Sequence, residues 1–210
     1  MIRTSSAVRH ARTAVGVLIA AAALTACGGT AHPGAAAVVG GHRIPISEVE
    51  AKVAELRTAV AAQPGAPAAE PAGLTKRTVA ELVLDQVVTQ ALSDRQLSVS
   101  QGDIARTRSA DAKLLGGDDA LGRALLLKQG VPAGDIDSFY RQQLGIQKIA
   151  AAEGKDARTA DGDAAVRAAL TAAGAELKIQ VNPRYGRWDA QQVSLTDAAA
   201  DWLPQPTAAA

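Results

Sequence analysis

Ala37-Val38-Val39-Gly40-Gly41-His42-Arg43-Ile44-Pro45 sets two short apolar runs on either side of a Gly-Gly pair. Both turn residues can take positive φ, so the run predicts a tight β-hairpin. Ile46-Ser47-Glu48-Val49-Glu50 then opens a helix, with Ser47 as N-cap and Glu50 completing a capping box, and the helix is expected to reach about Ala62. One other stretch has β character: Ala175-Glu176-Leu177-Lys178-Ile179-Gln180-Val181 alternates apolar and polar residues as a half-buried strand does. An isolated hairpin is marginal in water, so residues 37–45 and 175–181 are expected to pair in one small sheet joining the two ends of the body.

Helices fill the space between them. Gln63-Pro64-Gly65-Ala66-Pro67 through Pro71-Ala72-Gly73 reads as a flexible loop. From about Thr75 a second helix carries Val79, Leu82, Val83, Leu84, Val87, Val88, Ala91 and Leu92, an apolar face too wide for a surface helix and therefore central to the core. Ser100-Gln101-Gly102-Asp103 caps a third helix, Gly116-Gly117-Asp118 separates it from a fourth ending at Gly130, and Val131-Pro132 announces a fifth. On that fifth helix Ile136, Phe139, Tyr140 and Leu144 share one stripe. A sixth helix runs to about Ala173. The expected fold is mostly α: a bundle of about six helices with a small antiparallel sheet pairing the N-terminal hairpin and the C-terminal strand.

At the N-terminus, Arg3, Arg9 and Arg12 precede an apolar run from about Ala14 to Leu24, too short for the ~20 residues of a spanning helix. Leu24-Thr25-Ala26-Cys27 follows, and the chain has a single cysteine. The arrangement reads as a bacterial lipoprotein signal: residues 1–26 leave, and Cys27 takes diacylglycerol and an N-acyl chain such as palmitate, enough for stable anchoring. Residues 27–36 form a tether whose small-residue stretch, Gly28 to Gly34, spans about 25 Å when extended. The expected location is the extracytoplasmic face of the cell membrane, lipid-anchored.

Of the 22 basic side chains three leave with the signal, and none of the 21 acidic ones does, so the remaining 184 residues carry a formal charge of −2. A near-neutral domain has no electrostatic footprint for nucleic acid, and none is expected as a partner. Only His10, His32 and His42 occur, the first in the signal and the second in the tether. This argues against a Ser-His-Asp or Cys-His site, against His-based metal ligation, and against any metal or cofactor. Asp118-Asp119 and Asp161-Gly162-Asp163 each sit beside an expected helix start, where carboxylates complement the macrodipole.

In this order the parts resemble the N-terminal, chaperone-type domain of the SurA and PrsA family of exported foldases. The likeness is carried by Val38 to Pro45 leading into Ser47-Glu48-Val49-Glu50, by the Leu82 to Leu92 helix followed by Leu97-Ser98-Val99-Ser100-Gln101-Gly102-Asp103-Ile104, by Val131-Pro132-Ala133-Gly134-Asp135-Ile136-Asp137-Ser138-Phe139-Tyr140, and by Val181-Asn182-Pro183-Arg184-Tyr185-Gly186-Arg187-Trp188-Asp189. It spans residues 37–189, leaving 190–210 as a partly disordered extension. The 58 residues after Ala152 hold no histidine and are too few for a parvulin-type isomerase domain, so the resemblance implies the chaperone-like domain alone.

The function expected from this is non-enzymatic: a membrane-anchored lipoprotein that binds unfolded exported polypeptides through apolar surface, with no small-molecule substrate. The alternative is a structural or adaptor lipoprotein docking on one partner of a secretion or envelope assembly. Candidate client contacts are Phe139, Tyr140, Tyr185, Trp188 and Trp202, because aromatic rings supply large contact area at low entropic cost. Core filling competes with that role for Phe139, and Tyr185 and Trp188 are also placed to fold back over the helices as a clasp.

Overall fold

The computed structural model describes residues 33–65, 70 and 72–197. Strand β1 (Ala35–Val39) and strand β2 (His42–Pro45) form the hairpin, in register Val39↔His42 and Val38↔Arg43, and its turn residues Gly40 and Gly41 have φ of 57° and 84°. Both values lie in the left-handed region that glycine enters without steric cost. Helix α1 spans Ile46–Ala61. Ser47 is not its cap: Pro45 holds that position in extended conformation, and the Ile46 N–H donates to the Gly34 carbonyl at 2.9 Å. The strand entry thus satisfies a helix-start donor that the sequence assigned to a side chain.

Helix α2 (Leu74–Ser93) is the axis of the body, with Val79, Val83 and Val87 fully buried on it. Around it lie α1, α5 (Ile136–Ala152), α6 (Ala160–Glu176) and the inner face of β1, and together they close the larger of two cores. Gly145 lets α5 approach closely, since a Cβ there would stand 3.0 Å from Val88 and 3.1 Å from Leu92. The smaller core belongs to a lobe of α3 (Gln101–Leu115), α4 (Asp118–Gln129) and the start of α5, around Ile104, Leu121, Leu125, Ile136 and Tyr140. Ser100 caps α3 through a full capping box with Asp103, as its sequence predicts. The paired aspartates fall in the first turns of α4 and α6.

Helix α6 continues to Glu176, three residues beyond the expected end and into the segment assigned to a strand. Its buried positions Val166, Ala169, Leu170 and Ala173 keep the helical spacing, and Leu177 prolongs it. Lys178 then turns the chain with φ 46°, and only Gln180–Val181 remain as strand β3. That strand pairs antiparallel with β1, Ala37↔Val181 and Val38↔Gln180, giving the order β2-β1-β3. The expected joining of the two ends is therefore present, but through two residues rather than seven. Asn182 reinforces it, donating its backbone N–H to the Ala36 carbonyl at 2.8 Å and its side-chain amide to the Ala35 carbonyl.

After a 3-10 turn at Pro183–Tyr185, β4 (Arg187–Asp189) and β5 (Ser194–Thr196) make a second, two-stranded sheet. Strand β5 falls in the stretch after residue 189 that the sequence reads as an extension, and Val193 and Leu195 there pack against the larger core.

Candidate functional site

Along α3, Gln101, Ile104, Ala105, Arg108, Ser109 and Ala112 recur at intervals of three and four and line one side of a cleft of about 500 Å3. The row is ~17 Å long at 1.5 Å per residue. Gly117 and Asp118 at the start of α4 and Asp137 at the start of α5 form the opposite edge. Short side chains make the floor shallow, and Arg108 pins the rim by reaching Asp137 at 3.3 Å and Asp118 at 3.7 Å. Beneath it the Tyr140 hydroxyl donates to Asp111 at 2.8 Å; burial first, and then that carboxylate, push the phenol's pKa upward. No group of three His, Cys, Asp or Glu able to hold a metal occurs among the described residues. The cleft can bind by shape and apolar contact, with fixed charges at its edge.

Three leucines of this lobe face solvent: Leu114 is 84 % exposed, Leu127 52 % and Leu115 47 %. By helical spacing Leu115 continues the cleft row at the α3–α4 turn, while Leu114 lies on the opposite side of α3 from Ala105 and Ala112. The lobe therefore offers apolar surface on more than one side.

The lobe is fastened to the body by Lys148 of α5, which donates to the Ser98 carbonyl at 2.9 Å and to Asp103 at 3.0 Å. Lys148 and the Ser100 hydroxyl and N–H hold the Asp103 carboxyl down at about 2. A carboxyl bound more tightly as an anion when folded contributes stability above its unfolded pKa near 4, and that contribution vanishes as pH falls through about 2. Asp103→Asn is accordingly expected to lower the melting temperature at neutral pH and to flatten its decline between about pH 4 and pH 2. Parallel acid titrations of melting temperature would decide it, and identical curves would reject the assignment. Asp85 on α2 acts with the opposite sign: burial raises its pKa against the pull of Arg141 and Lys52, so protonation favours the fold there.

The family described as SurA-like N-terminal domain matches residues 1–150 of this chain, more than two thirds of it. The chain belongs to that family. No curated protein and no solved structure matches it. The matched stretch of the SurA-like domain takes in β1, β2, the whole α3–α4 lobe and nearly all of α5, and it ends at Ala150. Helix α6, β3 and the β4–β5 hairpin lie beyond it. Membership makes this a chaperone-type domain by family.

The expected contact residues divide between the two cores, Phe139 and Tyr140 inside the matched stretch and Tyr185 and Trp188 beyond it. Phe139, half-buried, meets Tyr140 edge-on with ring centroids 5.5 Å apart, and both pack the smaller core; Tyr140 is 3 % exposed and presents no ring face to solvent. Tyr185 is likewise buried, in the larger core, with the Arg184 guanidinium 5.0 Å from its ring centroid. Trp188 is half-buried against the same core. Trp202 and Cys27 lie outside the described residues. The exposed leucines escaped the sequence reading, although Leu114-Leu115 directly before Gly116-Gly117 puts two apolar residues in a last helical turn, which α4 packs beside without covering.

Proposed function

We propose that this SurA-like domain holds unfolded exported polypeptides on the apolar surface of its α3–α4 lobe, without covalent chemistry, while a lipid on Cys27 keeps it at the extracytoplasmic face of the membrane. The proposed layout is a signal at 1–26, a tether at 27–36, the chaperone-type body at 37–189 and an extension at 190–210. The observation that carries the binding reading is the cleft along α3, whose row Leu115 continues at 47 % exposure, with Leu114 at 84 % on a second side of the same lobe. What signifies is the apolar strip bordering a cleft, since leucines exposed singly are ordinary on a protein surface. Family membership supports a polypeptide as the ligand. Holding of this kind works by mass action on the unfolded client and needs surface rather than catalytic groups.

Leu114→Gln combined with Leu115→Gln is expected to abolish most of the delay in client aggregation while leaving the melting temperature within a few degrees, because Leu114 is largely in water and Leu115 about half so, and no charge is added to the end of α3. A light-scattering assay with a chemically unfolded client checks it; full activity in the double variant would remove the lobe as the contact surface. In the same preparation a proline-limited refolding reaction is expected to keep its uncatalysed half-time of tens to hundreds of seconds. Cys27→Ser is expected to release the protein from the membrane fraction. Recovery of one stoichiometric partner from membranes, in place of many unfolded chains, would transfer the reading to the adaptor alternative.

A further inference from the structure

The β4–β5 hairpin lies over the α2 and α6 side of the body and is joined to it sparingly. It does not pair with the three-stranded sheet. Trp188, Val193 and Leu195 pack on the larger core, the Thr171 hydroxyl of α6 donates to the Ala190 carbonyl at 3.0 Å, and Lys76 of α2 pairs with Asp197 at 2.5 Å. Asp197 is 97 % exposed in its side chain, so that ion pair is solvent-screened and weak. One feature opposes closure. The Trp188 Nε1–H is sealed from solvent with no acceptor, a penalty relieved as soon as water reaches it. Two three-residue strands cannot hold themselves in place.

We propose that the β4–β5 hairpin is a releasable clasp: it lifts from the helical body as a unit and uncovers the seam between α2 and α6 as a second client-binding strip. The second half of this inference rests on the holding function proposed above. What the hairpin places on the seam defines the occupant it fits: a short extended segment bearing an indole or other large apolar side chain beside aliphatic ones, as Trp188, opposite Leu195, provides. Gly174 of α6 lies directly under the ring, where a Cβ would come within van der Waals contact of the indole nitrogen at 3.4 Å. Opening would leave the hydrogen bonds of β1 with β3 and Asn182 intact, because they precede the hairpin in the chain.

Native-state hydrogen exchange on the full chain tests the opening. Amides of residues 187–189 and 194–196 are expected to exchange at least about tenfold faster than those at the centre of α2, and faster again in Thr171→Val/Asp197→Ala, with the α2 amides unchanged. Exchange of the hairpin only at the rate of the α2 centre would overturn the clasp. For the strip, the full chain carrying Trp202→Phe leaves Trp188 as the sole indole, and a chemically unfolded, alkylated client is expected to red-shift its emission. The loosened variant is expected to delay aggregation longer than the parent. A client that binds without moving the Trp188 emission, or equal holding by both variants, would overturn the strip. Fast hairpin exchange with no client binding by any variant would uphold the clasp and defeat the holding function instead.

Discussion

A chain ended after Gly174 is expected to lose its cooperative thermal transition. The deletion removes Leu177, whose carbonyl accepts the Gly40 N–H at 2.7 Å, together with β3, Asn182 and buried Tyr185. It bares the β3-facing edge of β1, where Ala36, Ala37 and Val39 are now at most 1 % exposed. Losing a buried aromatic alone costs about 3–5 kcal/mol, and each backbone hydrogen bond exchanged for one to water adds about 0.5–1.5 kcal/mol. Those sums rival the ~5–15 kcal/mol by which a domain of this size is stable. Circular dichroism against temperature would show a broad, non-sigmoidal loss of helix. A sharp transition at the parent's midpoint would mean that β1 does not depend on its C-terminal partner.

The second large effect is expected from Gly162→Ala. A Cβ at this position in the first turn of α6 would stand 1.9 Å from the Asp156 carbonyl oxygen and 3.0 Å from the Ala157 Cα, atoms of the main chain that no rotamer change can move aside. Relief requires the 156–159 turn to leave the helix start, and with it goes the Thr159 cap, which accepts the Gly162 N–H at 3.1 Å. Overpacking of about 1–3 kcal/mol and a lost cap of about 1 kcal/mol together predict a drop of roughly 10 °C in melting temperature. Gly154→Ala is the control: an alanine there would be strained at φ 68°, but nothing lies within 4 Å of its added Cβ, so its cost should be only about 1 kcal/mol. Equal shifts for the two variants would show that the 156–159 turn yields to the new Cβ at little cost.

Local signals carried most of the fold. The Gly40-Gly41 turn, the Ser100–Asp103 box and the wide apolar face of α2 each depend on residues close together in sequence, and each reads correctly. The misreadings arose where distant segments intervene. Ser47 is bypassed because the Gly34 carbonyl, twelve residues upstream, already serves the Ile46 N–H. The 175–181 alternation is overridden by the seating of α6 on α2, which draws Leu177 into the helical stripe. Aromatic content was a poor guide to the candidate site, since Tyr140 and Tyr185 are consumed by the two cores that hold the lobe and the strand ends in place. The exposed leucines were invisible for the complementary reason: whether a helix end is covered depends on which other element reaches it, and no periodicity records that.

The pairing of β1 with β3 joins Ala37 to Val181, nearly the full span of the described residues. A chain that emerges from a translocation pore N-terminus first delivers its opening strand long before the partner that completes it. Until Gln180 and Val181 arrive, β1 and β2 form only a marginal ribbon, and the apolar faces of α1 and α2 wait with them. If the chain is exported as proposed, it would cross as an incomplete fold with its own hydrophobic surface in the open, and the time between the release of Pro45 and that of Val181 would set the interval during which it is itself at risk of aggregation.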